Sequence, residues 1–191
     1  MVDALDSLAA AGSRAHHPRD TESVTSFGSV DGNVLYLVVC AVTGADRTLE
    51  RIAAEQQAGW DVCVVATERS LHWFDAVAAE TETGHPLQTR MRVYGEPLFE
   101  PLGDRVLVAP GGFNTISKIA LGLADDMPSG LVCEAIGRGV PVTIEVQVGP
   151  GFAGHPILAT HLDALEAAGV ELVFHTADPR EPDPSHTDGT S

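Results

Sequence analysis

The chain has 191 residues, a length that suits one domain with tails, and hydrophobic residues make up 44% of it, enough for a sizeable core. Its formal net charge of -16 excludes the Lys/Arg-rich surfaces that bind nucleic acids and anionic membranes. The sequence shows neither an apolar run of roughly 18 residues nor a secretory signal pattern. We therefore expect a cytoplasmic protein with no nucleic-acid or membrane partner.

The three cysteines, Cys40, Cys63 and Cys133, each lie in an apolar stretch outside any CxxC pair. This placement predicts small buried hydrophobic residues in a reducing compartment, with a catalytic thiol or a metal site as the alternative. No two histidines have HxxxH or HExxH spacing, so we expect no metal site.

The composition divides the chain into three parts. Residues 1–32 read as a flexible tail without sustained apolar periodicity, and residues 33–176 as the one domain. Residues 177–191 are acidic and rich in proline. They cannot bury enough apolar surface to offset the entropy of ordering, so we expect disorder there.

Within the domain, predicted strands and helices alternate. The run Val34–Val42 is continuously apolar, which is typical of a strand buried on both faces. The alternation predicts an α/β fold, a single Rossmann-like three-layer domain with a parallel sheet and helices on both faces. The further strands are Asp61–Ala66, a short one near Met91–Tyr94, Arg105–Ala109, Val140–Val148 and Val170–Phe174; the helices are Arg47–Ala58, Leu71–Ala79, Asn114–Leu123, one within Met127–Arg138, and Pro156–Ala168.

Ligands of such sheets bind at the carboxyl ends of the strands, which directs attention to the loops there. In the first, Gly44 allows a positive φ and close approach of a ligand, and the following helix start offers N–H groups to an anion. In the second, the hydroxyls of Thr67 and Ser70 are either helix caps or donors to a phosphate, with Arg47 or Arg69 as the alternative phosphate contact.

The stretch Pro110–Lys118 is the most informative. Gly111 and Gly112 follow a buried strand and leave backbone N–H groups with no side chain above them, so that a flat ring has room to lie there. Asn114 then begins a helix. A plain glycine turn with an Asn cap is the alternative interpretation.

The stretch Val106–Asp125 resembles the P-A-S-A-N-T-x-x-K-x-A-x-G-x-A-D segment of the flavin-containing cysteine decarboxylases. That family includes phosphopantothenoylcysteine decarboxylase and the lantibiotic peptidyl-cysteine decarboxylases. Thr67–Phe74 is similar to the family's T-x-S-S-L-x-F phosphate loop, and His161–Leu165 to the end of its domain. The resemblance covers about residues 34–175 and is nearest to an actinobacterial flavoprotein branch.

The resemblance implies FMN as cofactor and a lyase activity on a small-molecule or peptide substrate with a cysteine thiol and carboxylate, in which the flavin oxidises the thiol before carbon dioxide leaves. It also implies homotrimers or homododecamers with FMN at a subunit interface, and gives Asn114 the substrate carboxylate. The implied FMN contacts are Gly44, Ala45, Asp46, Thr67 and Ser70 for the phosphate, and Pro110, Gly111, Gly112, Phe113, Asn114 and Thr115 for the ring.

The chain departs from the family on the substrate side. The family's catalytic His falls on Glu96, its P-x-M-N motif falls on Val146–Gly149, and its Cys/Gly-rich substrate clamp has no counterpart. Glu96, His85 and His155 are the candidates for a substitute base. Two alternatives remain open: a non-catalytic FMN-binding regulatory or scaffold subunit, and another FMN redox or flavin-modifying enzyme.

Overall fold

The structure, a computed structural model, describes residues 33–91, 93, 103–175 and 178–180. Within them, parallel strands form a five-stranded sheet in the order β2-β1-β3-β4-β5. The strands are β1 (Val34–Val39), β2 (Asp61–Ala66), β3 (Arg105–Gly111), β4 (Val142–Val146) and β5 (Glu171–Phe174); the helices are α1 (Thr48–Gln57), α2 (Ala76–Thr83), α3 (Phe113–Ala120), α4 (Met127–Arg138), α5 (Pro150–Ala153) and α6 (Pro156–Ala167).

The core lies on both faces of β1, whose six residues are all buried between β2 and β3. Alternate side chains point to opposite faces. Tyr36 belongs to a cluster that includes Ile116 of α3, whereas Leu37 belongs to a second cluster with Ile52 of α1. Each such buried side chain contributes roughly 1.5–3 kcal/mol. The predicted three-layer parallel α/β fold is confirmed.

Two predicted elements were wrong in detail. The helix expected at Leu71–Ala79 is instead a 3-10 turn at Glu68–His72 followed by α2, because Asp75 accepts a hydrogen bond from the Ala78 amide and so begins a new helix. Near the expected strand Met91–Tyr94, neither Met91 nor Val93 lies in a strand, and residues 92 and 94 are outside the described residues. The chain meets the sheet edge earlier, where Gln88 forms a parallel bridge with Val65.

Other differences are shifts of boundaries. The helix predicted from Asn114 to Leu123 begins one residue earlier and ends at Ala120, before the left-handed Gly122. The strand predicted at Val140–Val148 extends only over Val142–Val146. The amino-terminal tail and residues 181–191 lie outside the described residues.

Residues 178–180, assigned from sequence to the disordered tail, form a turn against α6. The Arg180 guanidinium donates to Asp178 at 2.7 Å and to Asp163 at 3.0 Å, and it also contacts Glu166. Hydrogen bonds from Arg180 lower the pKa of Asp178. Among the described residues, no helix has the length and apolar character needed to cross a bilayer.

A charged junction joins α3 to α4. Asp126 caps α4 by accepting a hydrogen bond from the Ser129 amide at 2.9 Å, and Lys118 of α3 donates to its other oxygen at 2.6 Å. Lys118 also pairs with Asp125 at 2.8 Å. Burial by itself raises the pKa of Asp126, but the hydrogen bonds from Lys118 and Ser129 outweigh it and hold that pKa below its ordinary value.

This junction generates a stability prediction. Asp126→Ala removes the cap and should lower the free energy of unfolding by about 1 kcal/mol. Asp126→Asn keeps the capping oxygen and loses the charge paired with Lys118. Because the folded-state pKa of Asp126 is lowered, its charge stabilises the fold fully above the unfolded-state pKa, and this contribution disappears as the pH falls through the folded-state value.

Urea denaturation of wild type and Asp126→Asn between pH 7 and pH 3 measures the effect. The difference in unfolding free energy should shrink only at the acidic end, below the ordinary carboxyl pKa of 3.8. A difference that stays constant across the range would contradict the assignment of the charge.

Candidate functional site

A cleft of about 1190 Å³ opens at the carboxyl edge of the sheet. β1 and β3 are neighbours in the sheet, but α1 and α3, which follow them, belong to opposite core layers. The loops after these strands therefore diverge and leave a crevice between them. The walls of the cleft are residues 40–43, 67–69 and 73, 89–91, 112–115 and 118, 125–128, and 147–149 and 152.

The first turn of α3 forms one wall. Its N-cap is Gly112, which has no side chain to satisfy the N–H groups of that turn. The open N–H groups and the positive end of the helix dipole favour an anion here. Asn114 is exposed in the cleft, and its side-chain amide has no partner among the described residues. Beside it the buried Thr115 hydroxyl accepts a hydrogen bond from Cys40 Sγ at 3.2 Å.

The two glycines of this stretch serve the packing of the protein itself. A Cβ on Gly112 would lie 2.6 Å from Val42 Cγ1, and one on Gly111 would lie 2.6 Å from Ile144 Cγ2. The space beside them is thus filled by the protein, whereas the sequence interpretation assigned it to a ligand. Of the residues from 110 to 115, Gly112 and the three that follow line the large cleft, and Pro110 lines a second cleft.

The loop after β1 faces this second cleft, of about 520 Å³. Gly44 has the positive φ predicted for it, 99°. Gly44 and Asp46 line the second cleft together with Arg47. Ala45 lies in the core, and its amide donates to the Val42 carbonyl at 3.1 Å, so neither its side chain nor its N–H faces a cleft.

The polar residues of the loop after β2 have different roles. Ser70 is fully buried, and its hydroxyl lies 2.7 Å from the Thr67 carbonyl and 3.1 Å from that of Val39. A hydroxyl has one hydrogen, so Ser70 is fully used as a donor within the protein. Thr67 and Arg69 do line the large cleft, and the exposed Arg69 guanidinium has no partner among the described residues.

Neither His85 nor His155 lines the large cleft, and the third candidate base is outside the described residues. His85 contacts Asp61 Oδ1 at 2.7 Å, at the amino end of β2 and therefore at the opposite edge of the sheet. His155 caps α6, its Nδ1 accepting from the Ile157 amide at 3.2 Å. Glu96 is outside the described residues. No described histidine lines the large cleft.

The thiols do not replace a base. Burial raises the pKa of Cys40, which lines the cleft, and raises the pKa of Cys63 to about 12. Burial likewise raises the pKa of Cys133. All three are free cysteines that remain protonated at neutral pH, and Cys40 and Cys63 are buried as predicted.

Phe152 lines the large cleft and packs against another ring, and it was not predicted from the sequence as a site residue. Phe152 of α5 stacks on Phe113 at a centroid distance of 4.7 Å and an interplanar angle of 20°, and it lines the cleft. The only sequence signal was a phenylalanine between the strand predicted at Val140–Val148 and the helix predicted at Pro156–Ala168.

Several known proteins are similar to this chain. The family model described as Flavoprotein matches residues 33–188. A coenzyme A biosynthesis bifunctional protein, CoaBC of Thermococcus kodakarensis, is 29% identical over 144 residues. The match covers 71% of this chain and 36% of CoaBC, so the chain spans about a third of the length of that relative.

Solved structures share the fold. The FMN-dependent cysteine decarboxylase TvaF from thioviridamide biosynthesis gives a TM-score of 0.65 at 21% identity, covering 74% of this chain and 89% of that one. The FMN-dependent cysteine decarboxylase SpaF gives 0.65 at 19% identity, covering 74% and 83%. A mutant PPC decarboxylase complexed with pantothenoylaminoethenethiol gives 0.61 at 20% identity, covering 74% and 81%.

The family match spans most of the chain, including the loops of the cleft, and agrees with the motif found at Val106–Asp125. The chain therefore belongs to the Flavoprotein family.

Proposed function

We propose that this chain binds FMN in the large cleft and uses it to oxidise and decarboxylate a small or peptidyl cysteine thiol-carboxylate. The observation that carries the proposal is the open first turn of α3, where the Asn114 amide, which has no partner in the described part of the chain, faces a cleft of about 1190 Å³. Membership of the Flavoprotein family and the shared fold of FMN-dependent cysteine decarboxylases support it.

The residues present fit such a cofactor. The cleft is at least as large as the roughly 300–1,000 Å³ of typical ligand sites. Apolar side chains for a flat ring line it together with donors for an anion. We assign Thr67 and Arg69 to the phosphate, and Gly112 and Thr115 to the ring. When bound, FMN supplies a two-electron acceptor for the substrate thiol, and loss of carbon dioxide follows.

Asn114 has the role of orienting the substrate. Its free amide donates two hydrogen bonds, and it lies in the positive first turn of α3, so a carboxylate is the group best matched to it. Lys118 also lines the cleft, but its charge is already balanced by Asp125 and Asp126. Recognition of the carboxylate thus rests on Asn114 and the helix start.

Assembly is part of the proposal. A homotrimer or homododecamer with FMN at the subunit interface brings residues of a neighbouring subunit to the cleft. His85 lies at the opposite edge of the sheet in its own chain, so it serves as a base only across such an interface. Glu96 and His155 are the other candidates for the base.

One observation favours a second candidate, a non-catalytic FMN-binding subunit. No described histidine lines the cleft, and Val148 and Gly149 line it where the family resemblance expects Met and Asn. Such a subunit keeps the flavin and lacks the reaction. Another FMN redox or flavin-modifying activity is tested by the same experiments.

Flavin content is the first functional prediction. The purified full-length protein should be yellow, and denaturation should release FMN, with FAD absent by chromatography. A colourless protein whose melting temperature does not change with added FMN would contradict the proposal that the chain binds FMN.

The second prediction separates two phosphate contacts. Arg69→Gln should weaken FMN binding about 3–10-fold while leaving riboflavin binding unchanged, because riboflavin lacks the phosphate and exposed ionic hydrogen bonds contribute modestly. Ser70→Ala is the matched control: its hydroxyl supports the loop, so it should change the affinities for FMN and riboflavin by the same factor. Fluorescence titration of both ligands measures the ratios. A phosphate-selective loss in Ser70→Ala, with none in Arg69→Gln, would reverse the assignment.

The third prediction concerns the reaction. Phosphopantothenoylcysteine should leave the flavin oxidised under anaerobic conditions, because Val148 and Gly149 replace the Met and Asn that the family resemblance assigns to contacts with that substrate. Another cysteine thiol-carboxylate from a panel should bleach the flavin and release carbon dioxide, and Asn114→Leu should abolish that bleaching while the protein retains FMN. A flavin that no member of the panel reduces would favour the non-catalytic subunit. Rapid bleaching by phosphopantothenoylcysteine would show that a substitute base operates.

A further inference from the structure

An aromatic pair stands at one end of the large cleft, beside the first turn of α3. Phe113 and Phe152 are stacked at 4.7 Å, and the His155 ring meets Phe113 edge-on at 5.5 Å. Phe152 is nevertheless 56% exposed and lines the cleft. Phe113 covers part of this ring, and a large part of it stays open.

The backbone holds this ring in place. The Phe152 amide donates to the Gly149 carbonyl at 3.0 Å, and the Phe152 carbonyl accepts from the His155 amide at 3.1 Å. His155 is itself fixed as the cap of α6 through its bond with the Ile157 amide. An exposed aliphatic residue is ordinary on a protein surface. An exposed ring, oriented by stacking and anchored at both ends, is a preorganised contact surface.

The position of the pair relates it to the substrate carboxylate. Phe113 and Asn114 both belong to the first turn of α3, and both line the large cleft together with Phe152. A ligand in this cleft can therefore place its carboxylate at Asn114 and a neighbouring group against the aromatic pair. The two rings offer that group an apolar face without a charge of their own.

We infer that Phe113 and Phe152 form a stacking platform for the substrate. In that substrate, the amino group of the cysteine carries an acyl group with an aromatic ring. This inference names the substrate class of the proposed function, and it rests on that function for the cysteine part of the substrate. A planar ring gains from offset stacking on Phe152, whereas a flexible, hydroxyl-rich acyl chain gains little. The same geometry suits an N-arylacyl cysteine and a peptide that ends in an aromatic residue followed by cysteine.

Binding of unreactive ligands to the FMN-loaded protein tests the platform. Serine in place of cysteine removes the thiol, so N-phenylacetyl-serine and N-acetyl-serine can be compared by calorimetry without turnover. The arylacyl ligand should bind about 3–10-fold more tightly. Phe152→Leu should reduce that preference to about twofold or less, whereas Phe152→Tyr should keep it. Leu123→Ala, which removes an exposed apolar side chain outside the cleft walls, is the control and should also keep it.

The outcomes separate the inference from the proposed function. An unchanged preference in Phe152→Leu, or no preference in wild type, overturns the platform even if cysteine substrates reduce the flavin. A loss of FMN affinity in Phe152→Leu with the ligand preference intact assigns the ring to the flavin and also overturns it. A protein that shows the Phe152-dependent preference, but whose flavin no cysteine counterpart reduces, retains the platform and loses the proposed reaction.

Discussion

The complete burial of β1 is the constraint on which the rest of the structure depends. A parallel strand without an exposed side chain needs helices on both faces, and right-handed crossovers supply them only if the chain winds in opposite directions from the middle of the sheet. The loops after β1 and β3 then part at the carboxyl edge. The cleft is thus a geometric consequence of the core, and the side chains around it decide what enters.

Those side chains must bind an anion in a protein whose net charge is -16. The overall field repels a phosphate or a carboxylate, so recognition depends on local groups. The most basic side chain of the α3 wall, Lys118, is neutralised by two carboxylates. The groups that we propose for the anion are the first turn of α3, the Asn114 amide and Arg69, whose guanidinium has no partner among the described residues. Helix N–H groups act at short range and carry no net charge, which lets an acidic surface and an anion site coexist.

The fold was predictable because apolar strands and helices alternate along the sequence. A continuous apolar strand such as Val34–Val42 can be buried only in the middle of a sheet that is covered on both faces. The parts of the site that depend on side-chain direction were not predictable. Gly112 was interpreted as room for a ligand, whereas Val42 occupies the space that its Cβ would need. Ser70 and Arg69 are adjacent in sequence, yet one hydroxyl turns inward to carbonyl groups while the guanidinium faces the cleft. No spacing rule distinguishes these directions, because the 3-10 turn that sets them replaces an expected helix.

The cleft retains one residue of the family motif and alters its neighbour, and this difference limits which features of a ligand the cleft can recognise. Asn114 retains the asparagine of the family motif, to which we assign the substrate carboxylate, whereas Phe113 stands where that motif has alanine. A large ring beside this asparagine changes the shape of the wall and leaves the proposed carboxylate contact in place. Burial raises the pKa of Cys40, the one cysteine among the described walls of the cleft, so its thiol stays protonated at neutral pH. Under the proposed function, the cleft discriminates among ligands through apolar shape next to the Asn114 contact, and no histidine among its described walls is placed to transfer a proton.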